Sequence, residues 1–108
     1  VLPAPKMRRI GFPWSEQLIK RTLTSTAGTV MTAQKAIEEG VAIHLSGGYH
    51  HAHANYGSGF CLFNDLVVVV NEALKHPDVD SVMIIDSDVH HGDGTATLCA
   101  DNPDITTV

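Results

Sequence analysis

Two short apolar runs with a helical pattern between them constrain the fold of this chain more than any other feature of its sequence. The runs cover 41–45 and 82–85, and apolar residues recur at helical spacing over 64–76. A strand, a helix and a second strand in this order are typical of a parallel βαβ unit, with Pro77 in the return turn. A β-branched run at 105–108 indicates one more strand. We therefore predict an α/β fold with at least three parallel strands, forming a parallel sheet flanked by helices.

The first residues of the chain carry no clear signal for a regular element. Three prolines lie within 1–13, together with a basic patch formed by Lys6, Arg8 and Arg9. Proline lacks an amide hydrogen, and charge clusters usually lie in water. We therefore predict that 1–13 is an extended, solvated arm.

Helical spacing begins after this arm and returns near the end of the chain. Ser15 is a plausible N-cap for a first helix, because a serine hydroxyl accepts hydrogen bonds from the orphan amides of a helix start. A second helix is predicted over 29–39, with Gly40 as its stop signal. A further helical turn is predicted over 94–100. Two helices should therefore precede the first strand.

Charge, hydropathy and cysteine content exclude several classes of protein. The formal net charge is -5, which argues against binding to nucleic acid phosphates or an acidic membrane surface. No apolar run has the length that a membrane span requires. Cys61 and Cys99 lack a CxxC spacing, so free thiols in a reducing compartment are expected. A soluble, cytoplasmic protein fits these features.

The length and the ends of the sequence suggest part of a larger domain. At 108 residues, one domain is the upper limit. The sequence starts at Val1 without a methionine and stops inside the β-branched run at 105–108. We expect the polypeptide to continue on both sides, so that 1–108 is a single partial domain. Its exposed strand edges would then favour self-association.

A first polar cluster follows the apolar run at 41–45. It contains Gly47 and Gly48, followed by His50 and His51. In an open parallel sheet, ligands bind beyond the carboxyl ends of the strands, which is where this cluster lies. Neighbouring residues of a regular strand point to opposite faces, so both imidazoles reach one site only if the backbone bends. The two glycines permit such a bend.

A second polar cluster follows the apolar run at 82–85. Asp86, Asp88 and His90 alternate along the chain, so in extended backbone their side chains share one face. A carboxylate with an imidazole suits Zn²⁺ or Fe²⁺, whereas Mg²⁺ and Ca²⁺ prefer oxygen ligands alone. Carboxylates at the end of a buried strand also require a cation or a charged partner. The cluster therefore predicts a metal site.

Isolated histidines carry much less information than these clusters. His44, His53 and His76 each stand apart from the two motifs or at their margins. A single histidine in a loop is usually hydrogen-bonded or exposed without a chemical role. We expect all three to be of that kind.

Together the motifs resemble the central core of the histone deacetylase superfamily, which includes acetylpolyamine amidohydrolases and acetoin-utilisation proteins. The similarity covers about 22–108, and its motifs are GGYHHA, GSGFC, LFND and IIDSDVHHGDG. It implies a partial arginase/deacetylase-type fold and a metal-dependent deacetylase. The compact spacing favours a bacterial or class IV-like member.

The resemblance also implies the acid–base residues. The paired catalytic histidines of the family match His50 and His51, and the carboxylates that hydrogen-bond to them match Asp86 and Asp93. By the same similarity, His51 would be the general base, oriented by Asp93. His50, paired with Asp86, would act mainly through its charge.

The resemblance implies ligands and substrate contacts at further positions. Asp88 and His90 match two of the three ligands of the catalytic Zn²⁺ or Fe²⁺. Asp86 would contact a structural K⁺ together with main-chain oxygens of Asp88 and His90. Gly59 and Phe60 match a backbone position near the substrate and an aromatic wall of the acyl-lysine tunnel. The substrate would be an acetylated lysine, a polyamine or a small-molecule amide.

Two elements of the family site have no match in this sequence. The third metal ligand, an aspartate, and the oxyanion-stabilising tyrosine would lie beyond Val108. A catalytic zinc site normally has three protein ligands and a water. We therefore expect the 108-residue chain alone to be inactive.

Two other functions fit parts of the sequence. A haloacid dehalogenase-type phosphatase would use Asp86 as nucleophile, Asp88 as acid/base and Mg²⁺ as cofactor. That short motif leaves the histidine-rich segments unexplained. The chain would otherwise be a non-catalytic fragment that serves as a binding or structural piece.

Overall fold

The chain forms a small parallel sheet with helices packed around it. A computed structural model describes residues 2–108. Its elements in chain order are α1 (Ala4–Ile10), α2 (Glu16–Glu39), α3 (Asp65–Ala73), β1 (Val82–Ile84), α4 (Asp93–Cys99) and β2 (Ile105–Thr107). The two strands pair in parallel, and α4 is the crossover between them. The predicted α/β class is confirmed. Within residues 2–108, none of the helices has the length and hydropathy needed to cross a bilayer.

The predicted extended arm is wrong for most of its length, because α1 occupies it. Pro3 is the N-cap of α1, and proline is well tolerated where a helix starts, since the first amides have no helical partner there. Gly11 ends the helix in the left-handed conformation with φ 93°. Met7 and Ile10, three residues apart, are buried on one face of the helix. Tertiary packing of this face stabilises a short helix that the prolines obscured.

The two helices predicted before the first strand are one continuous helix, α2. Ser15 is its N-cap, as predicted, and accepts a hydrogen bond of 3.0 Å from the Leu18 amide. Gly40 is its C-cap, also as predicted. Buried Thr22 and Ser25 interrupt the apolar periodicity. Their hydroxyls are hydrogen-bonded to a helix carbonyl at 2.9 Å and to a loop serine at 2.6 Å, so the helix accommodates them without a break.

The first predicted strand is also wrong. Segment 41–45 pairs with no strand among residues 2–108, and β1 pairs with β2 alone in that range. Its large apolar residues, including Ile43 and Leu45, are mostly exposed. A strand is defined by a neighbour that accepts and donates its backbone hydrogen bonds, and this segment has none within the described chain. The observed sheet therefore has two strands among residues 2–108, fewer than the predicted three, and its βαβ unit is β1–α4–β2.

Other predicted elements are confirmed. Asn64 caps α3 through its side chain, which accepts the Val67 amide at 3.1 Å, and α3 lies within the predicted helix at 64–76. The strands at 82–85 and 105–108 and the helical turn at 94–100 are present as β1, β2 and α4.

Two apolar clusters hold these elements together. One joins α3 to the sheet and α4, and the other joins α1 to α2. The first has the buried residues Val70, Ile84, Cys99 and Ile105, and the second has Met7, Ile10 and Leu18. The loop with His50 and His51 lies between these two clusters in sequence, whereas the loop with Asp86, Asp88 and His90 follows Ile84 of the first cluster.

Candidate active site

Two histidine–aspartate pairs lie side by side beyond the carboxyl end of β1. The His50 Nδ1 is 2.6 Å from Asp86 Oδ2, and the His51 Nδ1 is 2.7 Å from Asp93 Oδ1. The centroids of the two imidazole rings are 4.1 Å apart. Each carboxylate thus faces an Nδ1 atom, which leaves the Nε2 atom of each ring for other partners.

A sharp bend brings the neighbouring histidines to the same site, as the sequence predicted. Gly47 and Gly48 both have positive φ, at 107° and 78°, a region that favours glycine. The His50 amide then donates to the Gly48 carbonyl at 2.9 Å. The strand geometry that would separate His50 from His51 is therefore absent.

A buried carboxylate fixes this bend. Asp65, at the start of α3, is completely buried and accepts hydrogen bonds from the amides of Gly48 at 3.1 Å and Tyr49 at 2.8 Å. It also accepts the Thr29 hydroxyl at 2.7 Å. A Cβ atom at Gly47 would overlap the same carboxylate, so only glycine fits there. Asp65 lies within the LFND motif, but periodicity gave no sign of its role, because its partners belong to α2 and a distant loop.

Two more glycines allow the loops around His50, His51 and Asp86 to approach closely. A methyl group at Gly59 would lie 2.6 Å from Cδ2 of His51. One at Gly92 would lie 2.9 Å from Asp86 Oδ2 and 3.3 Å from His50 Nδ1. Any side chain at these positions would push an imidazole or its carboxylate partner out of place.

Hydrogen bonds from α3 and α4 hold the backbone around the histidines. The Thr95 amide donates to the His50 carbonyl at 3.1 Å. The Asn64 side-chain amide donates to the Ala52 carbonyl at 3.2 Å and to the Thr95 hydroxyl at 2.9 Å. The N-cap of α3 therefore links the histidine loop to α4.

The carboxylates are charged acceptors at neutral pH. The hydrogen bond from His50 is the main cause of the lowered pKa of Asp86. The hydrogen bond from His51 lowers the pKa of Asp93 to about 2. Ionised carboxylates only accept, so each paired imidazole carries its proton on Nδ1. In a neutral ring of this tautomer, Nε2 is free to accept a proton.

The two predicted metal ligands form a local turn next to the histidine pair. Asp88 Oδ1 accepts the His90 amide at 2.7 Å and lies 2.9 Å from His90 Nδ1. The His90 and His51 ring centroids are 6.1 Å apart. Hydrogen bonds from the backbone and side chain of His90 lower the pKa of Asp88. A carboxylate and an imidazole this close fit two of the three protein ligands of a zinc or iron ion.

Residues 2–108 contain no group of three histidine, cysteine or acidic side chains arranged to hold a metal ion. Asp86 Oδ1 accepts the Asp88 amide at 3.0 Å and thereby shapes the turn between Asp86 and Asp88. The potassium site predicted at these three residues stays a prediction.

The two predicted substrate-contact positions lie at the rim of the histidine pair. Phe60 is exposed and has φ 64°, a rare value for a residue other than glycine. Its amide donates to the Ile10 carbonyl at 2.7 Å, and its ring meets the Phe12 ring edge to face at 5.0 Å. A Cβ atom at Gly11 would lie 2.8 Å from the Phe60 ring. The end of α1 thus holds Phe60 in place. The neighbouring Gly59 lies directly against the His51 ring.

One of the three histidines that were expected to have no role lies at the site. His53 Nε2 is 3.3 Å from Asp93 Oδ2, the oxygen that His51 leaves free. His44 and His76 make only local or structural contacts, with Thr29 Oγ1 at 3.2 Å and the Asp78 amide at 3.2 Å. The spacing of His53 from His51 was the available signal, since both belong to the same loop.

Comparisons with known proteins indicate the same family. The family model described as "Histone deacetylase domain" matches residues 6–108. An uncharacterized protein of Picosynechococcus sp. is 47% identical over 100 residues, which cover 93% of this chain and 33% of that protein. The acetoin utilization protein AcuC of Bacillus subtilis is 39% identical over 84 residues, covering 75% of this chain and 21% of that protein. Histone deacetylase 1 of Homo sapiens is 43% identical over 72 residues, covering 65% and 14% respectively.

The chain therefore spans a third or less of the length of these relatives. The family match extends from within α1 to the end of β2, and so it includes both histidine–aspartate pairs and the loop with Asp88 and His90. The chain belongs to the histone deacetylase family.

Proposed function

We propose that this chain supplies the acid–base groups and two metal ligands of a metal-dependent deacetylase, which hydrolyses an acetyl amide. The observation that carries the proposal is the pair of imidazoles at 4.1 Å, each with an aspartate at its Nδ1. Such paired histidines, with orienting carboxylates, suit the removal and return of protons in amide hydrolysis.

The two histidines have different exposure, which supports different roles. The His51 side chain is 22% exposed and that of His50 is 8% exposed. A general base has to reach the water whose proton it takes, so His51 is the better candidate. Its Nε2 would take that proton and later return it to the leaving amine, while Asp93 holds Nδ1. His50, with Asp86, would provide positive charge near the reacting carbonyl.

Asp88 and His90 would hold the metal ion, Zn²⁺ or Fe²⁺. When bound, such an ion polarises the amide carbonyl and lowers the pKa of a water molecule. The third ligand and the oxyanion-stabilising tyrosine would come from other parts of the complete protein, since the relatives are at least three times as long as the matched region. The 108-residue chain alone would then be inactive.

Substrate, ions and location are part of the same proposal. Phe60, exposed at the rim, would form one wall of a narrow acyl-lysine tunnel, with Gly59 allowing the chain of the substrate to approach. Acetylated lysine, an acetylated polyamine or a small-molecule amide each fits this arrangement. The proposal also includes a structural K⁺ at Asp86, Asp88 and His90, a cytoplasmic location, and self-association through the exposed edge of the sheet.

The phosphatase hypothesis lacks comparable support. Both carboxylate oxygens of Asp86 already accept hydrogen bonds, from His50 and from the Asp88 amide. A nucleophilic aspartate needs an oxygen directed at phosphorus. The 2.6 Å contact between Asp86 and His50 instead suits a carboxylate that orients an imidazole, and the phosphatase hypothesis leaves that contact unexplained.

The test uses the complete protein, loaded with zinc or iron, and an acetyl-lysine peptide. We expect hydrolysis that a chelator abolishes and that metal restores. The His51→Ala variant should lose about 10²–10⁴-fold in kcat while its metal content is unchanged, because it removes a proton acceptor and no ligand. His76→Ala is the matched control, since His76 lies in a surface turn and should leave kcat unchanged.

Near-normal turnover by His51→Ala would rule out the base assignment. Failure of the metal-loaded complete protein to hydrolyse acetyl-lysine peptides, acetylpolyamines and small acetyl amides would contradict the proposed function itself.

A further inference from the structure

Asp93 is shared by two histidines rather than one. Its Oδ1 accepts the His51 Nδ1 at 2.7 Å and the Gly94 amide at 3.0 Å. Its Oδ2 accepts the His53 Nε2 at 3.3 Å. The carboxylate that orients His51 is thus itself held from the side that His51 does not reach.

The contacts of His53 fix its ring in turn. The side chain is mostly buried, and its ring stacks on the Tyr56 ring with centroids 4.4 Å apart and an interplanar angle of 24°. The His53 amide donates to the Tyr56 carbonyl at 2.9 Å. The Arg9 guanidinium lies 3.9 Å from the centroid of the same tyrosine ring. Lys6 of α1 donates to the Asn55 carbonyl at 3.1 Å. Two basic residues of α1 therefore contact the loop that contains His53.

Asp93 needs such support because little else fixes its side chain. It is the first residue of α4, and its side chain is half exposed. The terminal torsion of an aspartate is broad, and the hydrogen bonds from His51 and Gly94 both reach the same oxygen, Oδ1, so they leave the plane of the carboxylate loosely defined. A second donor on Oδ2 does define it. The direction of the His51 ring depends on that plane.

We infer that His53 is a positioning residue, which holds the Asp93 carboxylate in the plane that orients the His51 imidazole. The inference rests on the proposed function, in which His51 is the general base. It assigns no proton transfer to His53 and requires no contact between His53 and substrate. It extends the site into a series of contacts from Arg9 through Tyr56 and His53 to Asp93.

Two variants of the complete protein separate positioning from packing. His53→Phe keeps a flat ring against Tyr56 but removes the N–H group. His53→Gln loses the stacked ring but keeps an N–H donor at similar reach. We expect His53→Phe to lower kcat about tenfold, the usual effect of losing one hydrogen bond to a charged group, with KM unchanged. His53→Gln should stay within about threefold of the parent protein, since it restores that hydrogen bond.

A second measurement does not depend on turnover. Nitrogen-15 NMR of the histidine rings reports which nitrogen of His51 carries the proton. In the parent protein and in His53→Gln, we expect one dominant form protonated at Nδ1, as the hydrogen bond to Asp93 requires. In His53→Phe, we expect a mixture of the two tautomers. His76→Phe is the control, because His76 lies in a surface turn beyond the C-terminal end of α3, and its substitution should change neither measurement.

Each outcome decides the inference. A lowered kcat and a mixed His51 tautomer in His53→Phe, both restored in His53→Gln, support it. A loss in His53→Gln that His53→Phe does not share would show that His53 only packs, and an unchanged His51 tautomer in His53→Phe would overturn the inference. If the complete protein hydrolyses no acetyl amide, the proposed function fails, whereas the NMR comparison still decides the role of His53.

Discussion

The histidine pair and the metal-ligand pair are neighbours in space but are built in different ways. His50 and His51 are hydrogen-bonded to carboxylates 36 and 42 residues away in the chain. Gly59 and Gly92 lie directly against their rings. Asp88 and His90 bond mainly to each other, two residues apart, and their side chains are 49% and 72% exposed. The histidine half of the candidate site is thus held by contacts between distant segments, whereas the half with Asp88 and His90 is a local turn at the surface.

This difference has a consequence for how the two halves respond to change. The positions of His50 and His51 are determined by packing between α3, α4 and the loops. Substitutions there should therefore lower the free energy of unfolding. The turn with Asp88 and His90 makes few contacts to the rest of the described chain, so changes there should affect ligand binding with little effect on folding. Three substitutions test that separation.

Asp88→Ala tests the metal-ligand half. In the complete protein, we expect loss of bound metal and a fall in turnover of at least about 10³-fold, because the proposed carboxylate ligand is removed. The midpoint of urea unfolding of the metal-free protein should not change, since the Asp88 side chain is half exposed. The measurements are metal content, turnover and urea denaturation. A clear drop in the unfolding midpoint would show that the turn is part of the core after all.

Asp65→Ala tests the histidine half. It leaves the amides of Gly48 and Tyr49 without their acceptor in a partly buried place, and it removes the shorter of two contacts from the Thr29 hydroxyl to an acceptor. We expect the free energy of unfolding to fall by about 2–3 kcal/mol, since an unsatisfied donor costs about 1–3 kcal/mol when buried and less where water reaches it. Urea denaturation measures the change. The matched control is Asp101→Ala at the exposed end of α4, which should leave the midpoint unchanged. A small effect for Asp65→Ala would mean that water replaces the carboxylate.

Asp93→Asn tests the pH dependence of the histidine half. The pKa of Asp93 is lowered to about 2 by the hydrogen bond from His51, so the ionised form stabilises the fold above the ordinary aspartate pKa. That contribution should be lost as pH falls from about 4 to about 2. Because the side chain is half exposed, solvent screening limits the effect to about 1 kcal/mol. The difference in unfolding free energy between the parent chain and Asp93→Asn should shrink over this interval, and a constant difference would contradict the pairing.

The sequence predicted those parts of the fold that local signals determine. Ser15, Gly40 and Asn64 sit at helix ends, and β1 and β2 were evident from their apolar residues. It failed where tertiary contacts outweigh local preference. The prolines of α1 conceal a helix that the burial of Met7 stabilises. Segment 41–45 has the composition of a strand but lacks a neighbour within residues 2–108.

The same division applies to the site. The motifs that resemble those of the histone deacetylase superfamily predicted His50, His51 and the acidic residues after β1 as site residues. Asp65 and His53 were given no role, because the groups that explain them are distant in sequence. His53 meets Asp93 across 40 residues, and no periodicity or spacing rule predicts such a partner. Supporting residues of an active site are recognisable only from their neighbours in space.

The hydrogen bond between the Phe60 amide and the Ile10 carbonyl affects how this protein should be expressed and crystallised. A domain boundary chosen from the sequence would discard the residues before Pro13 as a solvated arm. Such a boundary would delete the acceptor of Phe60 and the guanidinium that covers Tyr56. A recombinant version that begins at residue 14 would then lack part of the rim of the candidate site, and the resulting loss of order around Phe60 and Tyr56 would be mistaken for an intrinsic property of the protein.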